Sequence, residues 1–206
     1  MNAASDTKRR LLEATYALML RQGYPSTSVD EICTEAGVSK GSFYHFFKSK
    51  QEMAVAMLEH HMADAQEVLE GGLDLTGVKG PQRAIQYVRH IEEGAEEIWR
   101  DGCLIGSFAL ELAETNPELR EKVSQIFRDL ADHFETVFTP LSQAHPGPNT
   151  PSPRELAEQL IMVIEGGVVL SRAHYDPRYV PKALRSFRRY LEMLASEQVV
   201  DAHGSD

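Results

Sequence analysis

The chain has 206 residues, enough for one or two domains whose hydrophobic core needs no disulfide or metal for stability. Apolar residues make up 42% of it and charged residues 25%, which is typical of globular proteins and excludes a chain that is disordered throughout. No run of about 18 uncharged apolar residues is present, and no cleavage pattern follows the basic residues near the start, so we expect neither a membrane span nor a signal peptide. Two cysteines, Cys33 and Cys103, are too few for a disulfide framework and indicate a reducing, cytoplasmic location.

The net charge of −10 is distributed unevenly along the chain. Residues 1–50 contain seven lysines and arginines against five acidic residues, whereas residues 51–206 contain 14 basic and 26 acidic residues. This asymmetry favours a small N-terminal part that faces DNA, attached to an acidic body that polyanions would avoid. So small a positive excess could also arise by chance, so charge alone leaves both interpretations open.

Helix signals run through the whole chain and predict an all-α fold of about nine helices. The pattern Ser-x-x-Glu, in which the glutamate reaches back to the capping serine, predicts helix starts at Ser28, Ser49 and Ser152. Asn116 followed by a proline predicts a fourth start. Apolar residues recur at helical spacing behind each start, and no segment alternates as a strand would. Five of the ten prolines fall in residues 140–153, which predicts a surface loop there.

Residues 28–46 have the pattern of a helix-turn-helix. A capped helix from Val29 to Glu35 is followed by a turn that contains Gly37, and Ser39 is a good N-cap for a second short helix. In this arrangement the second helix enters the major groove of DNA with its N-terminal residues on base edges. In addition, Thr7 resembles the N-cap of the first helix, so three cations at positions 8–10 would fill its first turn. Cations there conflict with the helix dipole, and a nearby phosphate backbone would explain them.

The aromatic pattern leaves one side of the second helix for DNA. With the phenylalanines facing inward, the residues on the outer side are Lys40, Ser42, Tyr44 and His45. Lysine and serine can hydrogen-bond base edges, so Lys40 and Ser42 are expected to read sequence. Tyr44, His45 and Lys50 are expected to contact phosphates, which orient a protein without reading sequence.

Residues 8–58 resemble the DNA-binding head of the TetR family of bacterial transcriptional regulators. The resemblance is carried by Gly23-Tyr24, Thr27-Ser28-Val29, Ile32, Ala36-Gly37-Val38-Ser39-Lys40-Gly41-Ser42-Phe43-Tyr44, Phe47, Ser49-Lys50 and Met53. It implies that Thr27 and Ser28 cap the second helix beside a phosphate. It also implies that the region from Ser39 to His45, including Gly41, reads the groove, and that Lys50 anchors the DNA backbone. The chain departs from the family pattern at Cys33 and at His45-Phe46, whose order is inverted, which leaves the role of His45 open.

The C-terminal part contains a pattern typical of helix pairing. Residues 178–196 carry apolar residues at alternating spacings of four and three, namely Val180, Leu184, Phe187, Leu191 and Leu194. The preceding helix contains Gly166 and Gly167, which would allow a close backbone approach. We expect both glycines, with Leu184, Phe187 and Leu191, to form a homodimer interface, as the resemblance also implies. Packing within one chain is the alternative.

Cys103 is the strongest candidate for a sensing residue. It follows Asp101-Gly102 at a predicted helix start, where a helix N-terminus lowers the pKa of a thiol and makes it more nucleophilic. Gly102-Cys103 resembles a TetR subgroup in which this cysteine lies near the sensing pocket and some members respond to electrophiles or oxidants. The alternative is that Cys103 is a small packed residue. The side chains that either line an effector cavity or form ordinary core are Trp99, Phe108, Phe134 and Met162.

The eight histidines lack metal-ligand spacing, and the glycine fingerprints of phosphate and dinucleotide binding are absent, so we expect no metal, cofactor or catalytic site. The sequence therefore predicts a homodimeric transcriptional regulator, in the first place a repressor, that binds a palindromic double-stranded operator. A small-molecule effector, of which an electrophile is one option, would release it. The alternative is an all-α enzyme or protein-interaction adaptor with a helix-turn-helix-shaped head.

We expect a DNA-binding domain at residues 1–50, a ligand-binding and dimerisation domain at 51–200, and a frayed tail at 201–206.

Overall fold

The computed structural model describes residues 3–144, 146–147 and 150–196. These residues form nine α-helices and no strand, which confirms the predicted all-α fold. In chain order the helices are α1 (Ala3–Gln22), α2 (Val29–Ala36), α3 (Lys40–Phe46), α4 (Lys50–Glu70), α5 (Pro81–Ile98), α6 (Leu104–Leu112), α7 (Pro117–Ala144), α8 (Pro153–His174) and α9 (Tyr179–Ser196). None of these helices is both long enough and apolar enough to cross a membrane. The predicted tail at 201–206 lies outside the described residues, as do positions 145, 148 and 149 of the predicted loop.

Packing divides the described chain into two compact units. The first comprises the residues up to Gln66 together with Cys103–Ile126, so it contains α1–α3, most of α4, α6 and the start of α7. The second comprises Glu67–Gly102 and the described residues from Phe127 onward, so it contains α5, α8, α9 and the rest of α7. This division differs from the expected boundary after residue 50 because α6 packs against α1.

The turn between α2 and α3 follows from the local sequence. The backbone N–H of Glu31 donates to Ser28 Oγ (3.2 Å) and the Ser28 N–H donates to the Glu31 carboxylate (2.8 Å), so the predicted capping box at the start of α2 is confirmed. Gly37 ends α2 with a left-handed φ of 63°. A Cβ at this position would lie 2.7 Å from Nη2 of Arg10. The backbone angle therefore favours glycine, whereas a Cβ would only require the flexible end of the Arg10 side chain to move.

The remaining predicted caps are formed with one difference. The capping box at Ser152 and the asparagine cap at Asn116 are confirmed. Ser49 Oγ accepts the Glu52 N–H (3.0 Å), but the Glu52 carboxylate accepts the N–H of Lys48 (2.8 Å). Only half of the capping box predicted at Ser49 is therefore present.

Two helix boundaries differ from the predictions. α7 continues through Pro140 to Ala144, so the first part of the predicted loop is helical even though a proline cannot donate a helical hydrogen bond. α1 begins at Ala3, so Thr7 lies inside the helix and the acidic residue in the first turn is Asp6. The inferred conflict between the cations at 8–10 and the helix dipole is therefore wrong, and it provides no support for a phosphate.

The core of the second unit lies where α9 packs against α5 and α8. Leu184, Phe187 and Leu191 of α9 are 0%, 3% and 0% exposed in the single chain. Gly167 approaches α9 so closely that a Cβ there would lie 2.9 Å from the Cα of Val180. The prediction that these three side chains and Gly167 form a dimer interface is therefore wrong. The apolar stripe exists, but it packs into the core of its own chain.

A buried carboxylate joins α5 to α9. The side chain of Glu92 is 10% exposed and accepts hydrogen bonds from Nε of Arg185 and Nε of Arg188, each at 2.8 Å. Burial disfavours the ionised carboxylate, but the hydrogen bonds and charges of the two arginines outweigh this effect and lower the pKa of Glu92. The carboxylate is therefore ionised at neutral pH and holds both arginines.

Candidate nucleic-acid interface and sensing region

α3 presents one exposed face. Ser39 caps the helix by accepting the Ser42 N–H (3.1 Å), and the two hydroxyl oxygens lie 3.1 Å apart. Phe43 is completely buried on the inner side. On the outer side Tyr44 is 56% exposed, and its ring packs edge-on against Phe43 at 5.2 Å between centroids. The exposed residues of α3 and its cap are Ser39, Lys40, Gly41, Tyr44 and His45, with Ser42 half-buried.

Lys40 at the start of α3 forms an ion pair with Asp30 of α2, with 2.6 Å between Nζ and Oδ1. Both side chains are more than 60% exposed, so this pair contributes little to stability. A base edge or a phosphate can therefore take the place of Asp30 at small cost. Lys40 remains available for DNA, with Asp30 determining its position in the free protein.

Thr27 and Lys50 point into the first unit. Thr27 is 1% exposed and its hydroxyl donates to the carbonyl of Gly23 (2.7 Å), so the implied phosphate contact of this side chain is wrong. Nζ of Lys50 donates to the carbonyls of Tyr24 and Thr27, both at 2.9 Å, and lies 4.2 Å from the centre of the Tyr24 ring. Burial lowers the pKa of Lys50, although the charge of Glu31 opposes this effect. The structure thus gives Lys50 an internal role in place of the implied anchor on the DNA backbone.

All three cations at positions 8–10 have contacts within the chain. Nζ of Lys8 lies 5.9 Å from the centre of the Phe47 ring. Arg9 pairs with Asp6 and Glu13, at 2.7 and 2.6 Å. Arg10 Nη2 donates to the carbonyls of Ala36 and Gly37, the latter at 3.3 Å, and so fastens α1 to the end of α2.

Tyr24, in the turn between α1 and α2, connects this region to α6. Its backbone N–H donates to the Glu111 carboxylate of α6 (3.1 Å), and its ring packs edge-on against Phe108 of the same helix, with 5.9 Å between centroids. Its carbonyl accepts Lys50, as described above. A displacement of α6 would therefore act directly on the segment that leads into α2.

The residues predicted to sense an effector are distributed over both units. Cys103 is the half-buried N-cap residue of α6 and Phe108 is fully buried in the same helix, so both belong to the first unit. Trp99 and Phe134 belong to the second. Met162 is 64% exposed on α8, so the prediction that it lines a cavity is wrong.

The second unit contains a cleft of about 380 Å³ that the sequence did not reveal. Tyr87 of α5 is 2% exposed, and its hydroxyl lies 3.1 Å from Nε2 of His133 in α7. The same nitrogen lies 3.0 Å from Oε1 of Glu70. Helical spacing places Tyr87 on the buried face of α5. No local sequence pattern links it to His133, because the two residues are 46 positions apart. Among the described residues no group of three or more His, Cys, Asp or Glu side chains could hold a metal ion.

These features define a helix-turn-helix protein with a separate helical unit. Residues 11–57 match the family described as bacterial regulatory proteins, tetR family, and residues 81–185 match the C-terminal domain of LmrA/YxaF-like transcriptional regulators. The chain belongs to the TetR family of bacterial transcriptional regulators. It is a DNA-binding transcriptional regulator, and the family is a class of regulators, not of enzymes.

Three relatives illustrate the similarity. The repressor DhaR of Mycobacterium sp. (strain GP1) is 27% identical over 167 residues, which cover 81% of this chain and 83% of DhaR. The repressor NemR of Escherichia coli K12 is 29% identical over 121 residues, which cover 58% of this chain and 61% of NemR. The solved structure of reduced E. coli NemR matches with a TM-score of 0.72 at 23% identity, and the match covers 89% of this chain and 96% of that one. A TetR regulator from Chloroflexus aurantiacus J-10-FL gives a TM-score of 0.78 at 26% identity, covering 93% and 97%.

Proposed function

We propose that the protein is a cytoplasmic homodimer that represses transcription by holding a palindromic operator with its two α3 helices. The observation that carries this proposal is the exposed face of α3, where Lys40, Ser42, Tyr44 and His45 surround a helix anchored by the buried Phe43. Helices of this kind read the major groove from their N-terminal residues, and dimers of them require half-sites at a fixed spacing. Lys40 and Ser42 would read bases, and Tyr44 and His45 would contact phosphates.

The proposed dimer contact is the exposed apolar side of α8. Met162, Val169 and Leu170 are 64%, 55% and 45% exposed, and Gly166 is exposed between them. Met162, Gly166 and Val169 follow at spacings of four and three, so they lie on one side of the helix. Apolar residues grouped in this way favour burial against an identical face.

The dimer is tested by Val169→Glu in sedimentation velocity. We expect monomers with an unchanged helical circular-dichroism spectrum, because two unpaired carboxylates would be buried at the contact. Leu110→Glu is the matched control, since Leu110 is 80% exposed on α6 of the first unit, and this variant should remain dimeric. A Val169→Glu protein that sediments like the wild type would move the interface away from α8.

Cys103 is the proposed sensing residue. Its thiol, at the N-cap of α6, would add to an electrophilic alkene: the sulfur forms a bond to one alkene carbon and the thiol proton is transferred to the other. Cys103 lies eight residues before Glu111, about 12 Å along the helix axis. An adduct that displaces α6 would therefore disturb the hydrogen bond from Tyr24 to Glu111 and with it the entry into α2.

Operator binding before and after N-ethylmaleimide tests this role. Wild type and Cys33→Ser should lose affinity, because Cys33 is 5% exposed and burial raises the pKa of its thiol, which makes it unreactive. Cys103→Ser should keep its affinity. If Cys103→Ser is released as readily as the wild type, or if the reagent has no effect on either, Cys103 is not the sensor.

A further inference from the structure

Lys40, the first residue of α3, is paired with a carboxylate of α2. Its Nζ lies 2.6 Å from Oδ1 of Asp30, and both side chains are more than 60% exposed. An exposed pair of this kind adds little to stability. The cap of α2 does not depend on it either, because Ser28 and Glu31 form that cap, and Glu31 already places a negative charge in the first turn. Neither stability nor capping therefore accounts for the pairing of Asp30 with Lys40.

Most cations of residues 1–50 are engaged within the chain. Arg9 pairs with two carboxylates of α1, and Arg10 and Lys50 each donate to two backbone carbonyls. Together with Lys40, at least four of the seven cations in this segment have internal partners that compete with phosphate. This competition lowers the attraction to DNA of any sequence, because that attraction depends on cations that neutralise phosphates.

The ammonium of Lys40 can bind Asp30 and a base at the same time. An ammonium carries three protons, and the edge of guanine offers two uncharged acceptors, O6 and N7. Binding a base therefore retains the ion pair, and the carboxylate restricts the directions in which the remaining protons point. A phosphate is an anion like the carboxylate, so it must either displace Asp30 or lie beside it against like-charge repulsion.

We propose that Asp30 is a positioning residue that determines specificity, because it directs the Lys40 ammonium to the uncharged acceptors of a base edge in preference to a phosphate. The carboxylate thereby lowers the affinity for DNA of unrelated sequence more than the affinity for the operator. This role rests on the proposed function, in which Lys40 reads bases. Specificity of this kind comes from a charge that acts against the wrong site.

The test measures affinity at several salt concentrations for two duplexes, one that the wild type selects from a random pool and one with the same bases in scrambled order. Asparagine has nearly the shape of aspartate but no charge, so Asp30→Asn releases Lys40 without leaving a gap. This variant should bind the scrambled duplex more tightly, with a slope of log K against log salt that is steeper by roughly 0.9 per subunit. The ratio of selected to scrambled affinity should fall roughly 1.5- to 5-fold per subunit, the factor that one exposed ion pair corresponds to.

Two controls show whether the effect passes through Lys40. Glu35→Gln makes the same change of charge on α2, but Glu35 is exposed about 140° around the helix from Asp30, so the ratio should not change. In a Lys40→Met background, Asp30→Asn should change neither the slope nor the ratio, a result that a merely structural role of Asp30 would not give.

Three results would overturn the proposal: an unchanged ratio in Asp30→Asn, an equal fall of the ratio in Glu35→Gln, or a full effect of Asp30→Asn without Lys40. A changed base preference at a position that Lys40→Met leaves unaffected would also overturn it, because Asp30 would then contact a base itself.

The scrambled duplex separates this inference from the proposed function. If the wild type prefers no duplex over a scrambled one, base reading by α3 fails, and the slope on the scrambled duplex alone decides whether Asp30 keeps Lys40 from phosphates. A slope that steepens in Asp30→Asn only when Lys40 is present supports this role, and an unchanged slope overturns it.

Discussion

Replacement of Lys50 by methionine distinguishes an internal cation from a contact to DNA. Methionine keeps most of the apolar stem and removes the ammonium. The structure predicts that this change loosens the turn between α1 and α2, because Nζ donates to the carbonyls of Tyr24 and Thr27 at 2.9 Å and lies over the Tyr24 ring. If Lys50 instead contacts a phosphate, as the family pattern implies, its replacement should weaken DNA binding in a salt-dependent way.

The size of the effect follows from these contacts. Hydrogen bonds that involve a charged group contribute about 1.5–3 kcal/mol each, and an exposed cation–π contact about 0.5–1 kcal/mol. Because the Lys50 side chain is half-exposed, water replaces part of the lost interactions. We therefore expect the free energy of unfolding to fall by roughly 2–4 kcal/mol, less than the roughly 3.5–7 kcal/mol that the separate contacts would give together.

The assay combines urea unfolding at fixed protein concentration with operator titrations at several salt concentrations. Lys50→Met should lower the unfolding midpoint and leave the slope of log K against log salt unchanged. The exposed Lys48 is the matched control: Lys48→Met should change stability by less than about 0.5 kcal/mol and lower the slope by roughly 0.9 per subunit if it neutralises one phosphate. A Lys50→Met protein of unchanged stability with a slope reduced by about 0.9 per subunit would refute the internal role.

Three other changes test the described contacts. Glu92→Gln should destabilise the protein by roughly 1–3 kcal/mol in urea unfolding at neutral pH, because Arg185 and Arg188 lose the charge they share, although Arg188 keeps its ion pair with Glu192. Since the folded-state pKa of Glu92 is lowered, the difference from wild type should shrink as pH falls through that pKa, and a constant difference would contradict the ion pair. Glu111→Gln should weaken operator binding while the fold is retained, because the acceptor for the Tyr24 N–H loses its charge; unchanged affinity would exclude α6 as the connection. Ser28→Ala should cost about 1 kcal/mol in thermal or urea unfolding through loss of the α2 cap, and a neutral result would contradict the capping box.

Local signals in the sequence were sufficient for much of the fold. Ser28 and Ser152 start α2 and α8 because a capping box involves residues only three positions apart, and Gly37 ends α2 because its φ is left-handed. The error at Pro140 has a different cause: the hydrogen bonds along a helix of 28 residues tolerate the loss of one donor, which proline content alone does not reveal.

Long-range packing accounts for what the sequence did not reveal. Helical spacing correctly grouped Leu184 with its neighbours on one face of α9, but periodicity does not distinguish a partner chain from the chain's own core. The family pattern indicated a cation at Lys50 but not which atoms its ammonium would reach. The contact between Tyr87 and His133 depends on how α5 and α7 pack, and neither helix carries a local sign of it.

The central claim, that the protein reads DNA sequence through α3, is tested most directly by selecting bound duplexes from a random pool with the full chain. We predict that wild type enriches one palindrome, with half-sites separated by a whole number of helical turns, and that Lys40→Ala shifts the preferred base at one symmetric pair of positions. Enrichment of no palindrome, or an identical preference in Lys40→Ala and in variants of every other exposed α3 side chain, would contradict the account.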